Sequence, residues 1–373
     1  MHRSQARELL KKHREGTLTD DERVILESWY LRRARSLGLE AGRENIQAHL
    51  DSLPELPARE ARRAVGKWLS AAAGILIVLG AGVWYMTRPV PVAPAPVLVN
   101  DALPGDNRAR LILASGKDIL LDEASSGELA REGNTSIVKT DQGELVYHTA
   151  QQAAENTTPS YYNTIETPKA GQYHIRLSDG TRVWLNAASS IRFPTQFSTH
   201  QRVVDVVGEV YFEVAKATTG GRRIPFKVVS GNLEVEVLGT RFNINSYSDE
   251  GVIRTTLLEG SIQVRTPKKE IVLQPGQQAR VSGGQTLKVS QVNTGQVMAW
   301  KEGYFSFDGV GLKELMRQLS RWYDMEVVYE GNTPDYEFVG QISRNTRLSG
   351  VLQILEAGGV RFRVDGKKII VSE

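Results

Sequence analysis

Cysteine is absent from this 373-residue sequence, and so are the motifs that mark most catalytic and metal sites. Without thiols the chain can form neither disulfides nor thiolate-bound metal centres. None of the six histidines stands in a metal-ligand spacing such as HExxH, and no Walker loop, Rossmann fingerprint or GxSxG elbow occurs. The sequence therefore predicts no metal, no cofactor and no conventional enzyme.

One pair of carboxylates deserves a separate test, since Glu209 and Glu213 in GEVYFEV share one face of a predicted strand. Paired carboxylates hydrolyse glycosides when a cleft with aromatic platforms surrounds them. No such cleft is indicated around this strand, so we expect both to be surface or turn-bonded acids.

A strong excess of either charge is also lacking. Residues 1–67 hold 14 Lys and Arg against 11 Asp and Glu, and the rest of the chain holds 32 of each. Nucleic acid binding requires a dense basic face, which a neutral region does not provide and a slight excess does not establish. We expect no direct contact with nucleic acid.

Residues 68–86, WLSAAAGILIVLGAGVWYM, form a long run without a charged residue. As a helix this run would be roughly 28 Å long, close to the ~30 Å hydrocarbon core of a bilayer. Trp68, Trp84 and Tyr85 stand at its two ends, as is typical of membrane interfaces. We predict one transmembrane helix, with the more basic N-terminal flank in the cytoplasm.

These patterns predict a single-pass membrane protein, with a cytoplasmic N-terminus and its bulk on the other side of the membrane. Its fold class is a small all-α segment, one transmembrane helix, an all-β domain and a small α+β domain of two βαβ-like repeats. The predicted segments are a cytoplasmic helical segment at 1–66, the transmembrane helix at 67–87, a Pro-rich linker at 88–98, the all-β domain at 99–292 and the α+β domain at 293–373.

Alternating apolar and polar residues between turn signals predict the all-β domain, either a sandwich or a stacked β-layer. The Asp-Gly pair at 179–180 predicts a type I′ hairpin turn, and the Gly-Asn pair at 231–232 predicts another hairpin. Residues 113–126 align without gaps on residues 177–190, which indicates that one strand–turn–strand unit occurs twice.

A short apolar stripe in the N-terminal segment is a candidate docking face. Thr19 and Glu22 have the spacing of a capping box, which opens a helix. We predict that this helix docks a partner protein through Ile25, Leu26, Trp29 and Tyr30. The alternative is a small helical bundle that buries the same stripe.

Six blocks within residues 167–281 resemble the FecR-type transmembrane anti-sigma factors, in the order found in that family. They are DGTRVWLNAASSIRFPTQF, RVVDVVGEVYFEVAK, IPFKV, EVLGTRFNINSY, TLLEGSIQV and LQPGQQARV. REGTLTDDERVILESWY resembles the sigma-binding region of the family. AWKEGYFSFDGVGLKELMRQLSRWYDMEVVYEG resembles the C-terminal domain of its polysaccharide-utilisation branch, which is similar to the secretin/TonB short N-terminal domain.

The resemblance implies a relay. The periplasmic signalling domain of a TonB-dependent outer-membrane transporter engages the outer part of the protein. Regulatory proteases then act, and a cytoplasmic extracytoplasmic-function sigma factor is released or activated. The alternative function is a membrane-anchored periplasmic module that binds glycan or cell wall, with Tyr161, Tyr162 and Trp184 as stacking platforms, although Trp184 is expected to pack inward.

The resemblance also implies self-cleavage of the chain at a Gly-Thr peptide bond, because some members of the family look to be cut at such a bond. Gly239-Thr240 is the preferred candidate, since the Asp-Gly turn already explains Gly180-Thr181. A Thr hydroxyl can attack the carbonyl before its own nitrogen and form an ester that hydrolyses more readily than an amide. The alternative is a structural bulge glycine beside an inert Thr240.

Overall fold

The computed structural model describes 9, 11–13, 15, 17–19, 21–26 and 28 in the N-terminal region, and then 101–149, 161–283, 286–331 and 336–372. The chain divides into two compact units, Met1–Asp101 and Ala102–Glu373.

In the first unit, the described residues 11–13 and 21–26 are helical. The predicted capping box is confirmed. The Glu22 N–H donates to Thr19 Oγ1 (3.3 Å), and the Thr19 N–H donates to a carboxylate oxygen of Glu22 (3.2 Å). These two bonds satisfy backbone donors that the first turn of a helix would otherwise leave without partners.

The predicted class of a single-pass membrane protein is wrong for the described part of the chain, which is mainly β. No helix among its residues is both long enough and apolar enough to cross a membrane. The longest helix there, Leu312–Tyr323, has 12 residues and would span only about 18 Å. The predicted span, residues 68–86, lies outside the described residues.

The second unit begins with a β-sandwich lobe. Its strands are β1 (Asp106–Asn107), β2 (Arg110–Ile112), β3 (Asp118–Leu120), β4 (Gly127–Glu132), β5 (Thr135–Lys139), β6 (Leu145–Thr149), β7 (Tyr162–Thr167), β8 (Gly171–Arg176), β9 (Arg182–Leu185), β10 (Ser189–Pro194), β11 (Arg202–Glu213), β12 (Thr218–Thr219), β13 (Arg222–Arg223), β14 (Phe226–Ser230), β15 (Leu233–Val237), β16 (Arg241–Ser246), β17 (Val252–Glu259), β18 (Ile262–Arg265), β19 (Glu270–Leu273), β20 (Gln277–Ser282) and β21 (Thr286–Gln291).

Two sheets face each other across one apolar core. The first sheet has the order β3-β2-β7-β10-β11-β14-β15-β18-β19. The second has the order β4-β5-β6-β8-β9-β11-β16-β17-β20-β21. Because strand side chains alternate between faces, Ile165, Ile191, Val183 and Phe212 point inward and are fully buried.

Strand β11 belongs to both sheets, and Gly208 marks the point where it passes from one to the other. Its first residues pair with β10 and β14, and its last residues pair with β9 and β16. Gly208 has φ +83°, and a Cβ there would lie 2.4 Å from Ser189 Oγ. Only glycine fits a corner that needs both a positive φ and this close approach.

The predicted internal repeat is confirmed. The Leu177 N–H donates to Thr181 O (2.9 Å), and the Leu113 N–H donates to Lys117 O in the same way (3.0 Å). Gly180 (φ +85°) and Gly116 (φ +82°) occupy equivalent positions in the two loops. The predicted type I′ turn is wrong, because that turn needs positive φ at both central residues and only the glycine has it.

The hairpin predicted at residues 231–232 is confirmed, since Ser230 pairs with Leu233 across it.

The unit ends with an α+β lobe, the C-terminal lobe. Its elements are α1 (Thr294–Met298), β22 (Tyr304–Ser306), β23 (Val310–Gly311), α2 (Leu312–Tyr323), β24 (Glu326–Tyr329), β25 (Glu337–Phe338), β26 (Gln341–Ser343), α3 (Leu348–Glu356), β27 (Arg361–Asp365) and β28 (Lys368–Ser372). Helices α2 and α3 each carry a stripe of apolar residues at the helical period, and all members of both stripes are buried in one core: Leu312, Leu315, Met316, Leu319, Leu348, Val351, Leu352 and Leu355.

Candidate functional site

The candidate site is the junction between the two lobes, on the outer face of the second sheet. Met298 and Trp300, which follow the last sandwich strand, pack on Tyr211 of β11 in a small apolar cluster. The indole N–H of Trp300 donates to Asn243 Oδ1 (3.3 Å). The C-terminal lobe is therefore held on the sandwich by apolar contact and by directed hydrogen bonds.

Glu209 lies at the centre of this junction. The corner at Gly208 turns the next residue toward the C-terminal lobe, and the Glu209 carboxylate accepts hydrogen bonds from Asn186 Nδ2 (2.7 Å) and Asn243 Nδ2 (3.0 Å). Burial raises the pKa of this carboxyl, and the two amide hydrogen bonds offset only part of the effect. Of the two expectations for Glu209, the surface acid is wrong because a second lobe covers its strand, and the turn-bonded acid is confirmed because Asn186 lies in the turn between β9 and β10.

Arg344 reaches Glu209 through an intermediary. One guanidinium nitrogen donates to Asn186 Oδ1 (2.8 Å), and another donates to the Trp300 carbonyl (2.9 Å). The guanidinium also stacks on Trp322, 3.6 Å from the ring centroid. Burial lowers the pKa of Arg344 to about 10. Asn186 thus joins a buried cation to a partly buried acid, because its amide oxygen accepts from Arg344 and its amide nitrogen donates to Glu209.

Arg321 of α2 makes the second cross-lobe contact. It binds Asp249 (3.0 Å) and Glu250 (2.6 Å), both in the turn before β17. Its guanidinium lies 3.8 Å from the ring centroid of Tyr247, and the residue is buried. A charge pair that is buried and also stacked is screened less by solvent than a surface pair.

The segment that leads into the second unit, residues 102–107, is fixed to both lobes. The Leu348 N–H donates to Ala102 O (3.1 Å), and the Asp106 N–H donates to Ala170 O (3.0 Å). Gly105 lies between these two bonded residues in the sequence, and a Cβ on it would lie only 2.9 Å from the Trp322 ring, so the backbone packs closely on that ring. We call residues 102–107 the junction segment.

The predicted sigma-docking residues fall in the first unit. Ile25 is partly exposed (37%), whereas Leu26 is fully buried. Trp29 and Tyr30 lie outside the described residues.

Two other predicted features occupy the sandwich surface. Glu213 pairs with Arg182 of β9 and is half-buried. Trp184 was expected to pack inward, but it points away from the sandwich core and lies against Tyr211 at a centroid distance of 5.5 Å. The Lys301 ammonium group covers this ring at 4.5 Å. Tyr161 and Tyr162 are partly exposed.

The Gly239-Thr240 bond lies between β15 and β16. Gly239 has φ +146°, and a Cβ there would lie 2.5 Å from Lys216 Cγ, so the position requires glycine. Thr240 is buried, and its hydroxyl donates to the Ser261 carbonyl (3.2 Å). A register shift follows at Arg241 and Phe242. The positive φ of Gly239 and the register shift are compatible with self-cleavage and also with a structural bulge glycine beside an inert Thr240. Self-cleavage therefore stays a prediction.

No group of residues that could hold a metal ion occurs in the described ranges.

The comparisons with known proteins match both lobes. The family model "FecR protein" matches residues 163–263, and the model "FecR, C-terminal" matches residues 304–371. These two stretches are therefore similar to the two FecR domains. This finding confirms the resemblance drawn from the sequence.

Two crystal structures of a protein proposed to be an anti-sigma factor, from Parabacteroides distasonis ATCC 8503, are similar to this chain. The structure at 1.65 Å resolution is 27% identical, with a TM-score of 0.51 over 56% of this chain and 97% of its own. The structure at 2.50 Å resolution is also 27% identical, with a TM-score of 0.52 over 57% and 99%. The comparison with curated proteins gave no match.

We expect Glu209→Gln to remove a pH-dependent part of the stability. The raised pKa means that the folded protein holds this proton when the unfolded chain has released it. The wild type should therefore lose stability relative to the variant as the pH rises from 4.5, the ordinary value, through the raised pKa. Urea unfolding between pH 4 and 8 measures this difference.

Glu270→Gln is the matched control, since Arg265 lowers the pKa of that exposed carboxyl. The difference in free energy of unfolding between wild type and this variant should change with pH in the direction opposite to that expected for Glu209→Gln. Parallel profiles for the wild type and Glu209→Gln would show that Glu209 keeps an ordinary pKa.

If the FecR domain cuts itself at Gly239-Thr240, the purified full chain should yield a fragment that ends at Gly239. Thr240→Ala should abolish this fragment and Thr240→Ser should preserve it, because only a hydroxyl can form the ester. Mass spectrometry of incubated protein gives the fragment ends. A chain that stays whole, or one cut equally with alanine at 240, excludes self-cleavage.

Proposed function

We propose that this protein is a FecR-type anti-sigma factor that relays the state of a TonB-dependent outer-membrane transporter to a cytoplasmic extracytoplasmic-function sigma factor. The observation that carries this proposal is that both FecR models match within one compact unit. The similarity of the chain to the crystal structures from P. distasonis, whose protein is proposed to be an anti-sigma factor, supports it. The described residues offer no metal cluster, and we propose no enzymatic activity beyond self-cleavage.

In this proposal the protein works at the inner membrane. The N-terminal segment binds the sigma factor in the cytoplasm, and the two-lobed unit meets the transporter's signalling domain in the periplasm, where regulatory proteases follow. Isolation of the full chain from cells tests the sigma-binding half directly. Mass spectrometry should find a sigma factor with the full chain and none with a chain that lacks residues 1–66.

The C-terminal lobe has strand edges that suit the second partner. Its three-stranded sheet has the order β24-β28-β27, so β24 and β27 each pair on one side only. An unpaired edge presents backbone donors and acceptors to which a partner can add a strand. We therefore propose that the transporter's signalling domain binds along β24.

Val328→Lys should weaken this binding at least tenfold, because a half-buried charge at the edge opposes an added strand. Titration of the full chain with the purified signalling domain gives the affinity. Val289→Lys, on the edge strand β21 of the sandwich, is the matched control and should bind like the wild type. Equal affinities for both variants would place the transporter contact elsewhere.

This point variant is a sharper test than deletion of residues 294–373. The deletion would also uncover Tyr211, which Met298 and Trp300 cover, and a loss of binding would then have two explanations.

For the sigma factor, we expect Trp29→Ala to reduce affinity about thirtyfold, since buried aromatic anchors commonly contribute ~2 kcal/mol at interfaces. Lys11→Ala is a suitable control because the Lys11 side chain is largely exposed. Titration of the purified sigma factor with each full-length variant measures the effect. Unchanged affinity for Trp29→Ala would move the docking face away from the predicted stripe.

A further inference from the structure

A polar cavity of about 260 Å³ opens beside Glu209, and both lobes line it. The sandwich contributes Asn245, Gln278 and Arg280, and the C-terminal lobe contributes Ser306 and Gln318. We propose that this cavity binds a small uncharged polyhydroxy molecule of the size of one sugar ring. This site is separate from the sigma-docking stripe and from the edge of β24.

Apart from Arg280, which is exposed, the charged groups around the cavity already have partners, which argues against a buried ionic ligand. Arg254 pairs with Glu250 and lies 3.5 Å from Glu314. Arg321 also binds Glu250, and the Glu209 carboxylate accepts two amide hydrogen bonds. A charged ligand would have to displace one of these contacts, whereas a neutral ligand would leave them intact.

The buried groups that remain available are neutral. Asn245 Oδ1 and Ser306 Oγ are buried without a hydrogen-bond partner in the described protein, and both residues line the cavity. Ser306 is 6% exposed, so its hydroxyl lies deep in the junction. Buried polar atoms of this kind lower their free energy when a ligand or water supplies the missing bond. A hydroxyl group suits both atoms, because it donates and accepts.

The volume of the cavity limits the size of the ligand that it can enclose. The cavity volume of about 260 Å³ lies near the lower end of the roughly 300–1,000 Å³ that is typical of small-molecule sites. That space suits one sugar ring and is too small for an oligosaccharide or a folded peptide. Sites of this kind occur preferentially between domains. Because both lobes line it, an occupied cavity adds contacts between them.

The test is a titration of the full chain with D-glucose, D-galactose, D-mannose and N-acetyl-D-glucosamine, followed by ligand-observed NMR and calorimetry. We expect saturable one-to-one binding of at least one of these sugars. Asn245→Ala and Gln318→Ala should each weaken it about fivefold, the usual effect of one lost hydrogen bond. Gln263→Ala, on the outer face of the first sheet, is the matched control and should leave the affinity unchanged.

Thermal unfolding shows that each variant is folded before it is titrated. Three results would overturn the proposal: no saturable binding of any of the four sugars, equal binding by wild type and both cavity variants, or binding of D-glucuronate alone. The third result would assign an anion site to Arg280, which is exposed and lines the cavity.

Discussion

The corner at Gly208 is the constraint on which the rest of the second unit depends. A side chain there would meet Ser189 and the Ala188 carbonyl, so β11 turns from one sheet into the other only through glycine. The Glu209 N–H then donates to Ser189 Oγ (2.9 Å), which fixes the strand after the turn. The same turn closes the sandwich and directs Glu209 to the second lobe. Core and junction therefore share one backbone position.

Local patterns in the sequence predicted much of this fold. The stripes of α2 and α3 follow the helical period, and that period alone identifies the face that packs. The capping box of Thr19 and Glu22 spans four residues, and the repeated loops that end at Lys117 and Thr181 span five. In each case the interacting groups are close in sequence, so neighbouring residues are enough to predict the local structure.

The candidate site could not be predicted in that way. Asn186 and Arg344 are hydrogen-bonded although 158 positions separate them. Glu209 looked like a surface acid because its strand alternates, and alternation cannot show that a second lobe covers the outer face. These features depend on how distant segments pack.

The junction segment has a mechanical consequence. Tension on the chain before Ala102 is carried first by the hydrogen bond from Leu348 and by the wedge of Gly105 against Trp322. Only then does the load reach β1, which holds β8 through a two-residue parallel pairing. The long hydrogen-bonded ladders of the sandwich carry load only after these few bonds have broken. Force applied from the N-terminal side therefore loads the contacts between the lobes before it loads the core of either lobe.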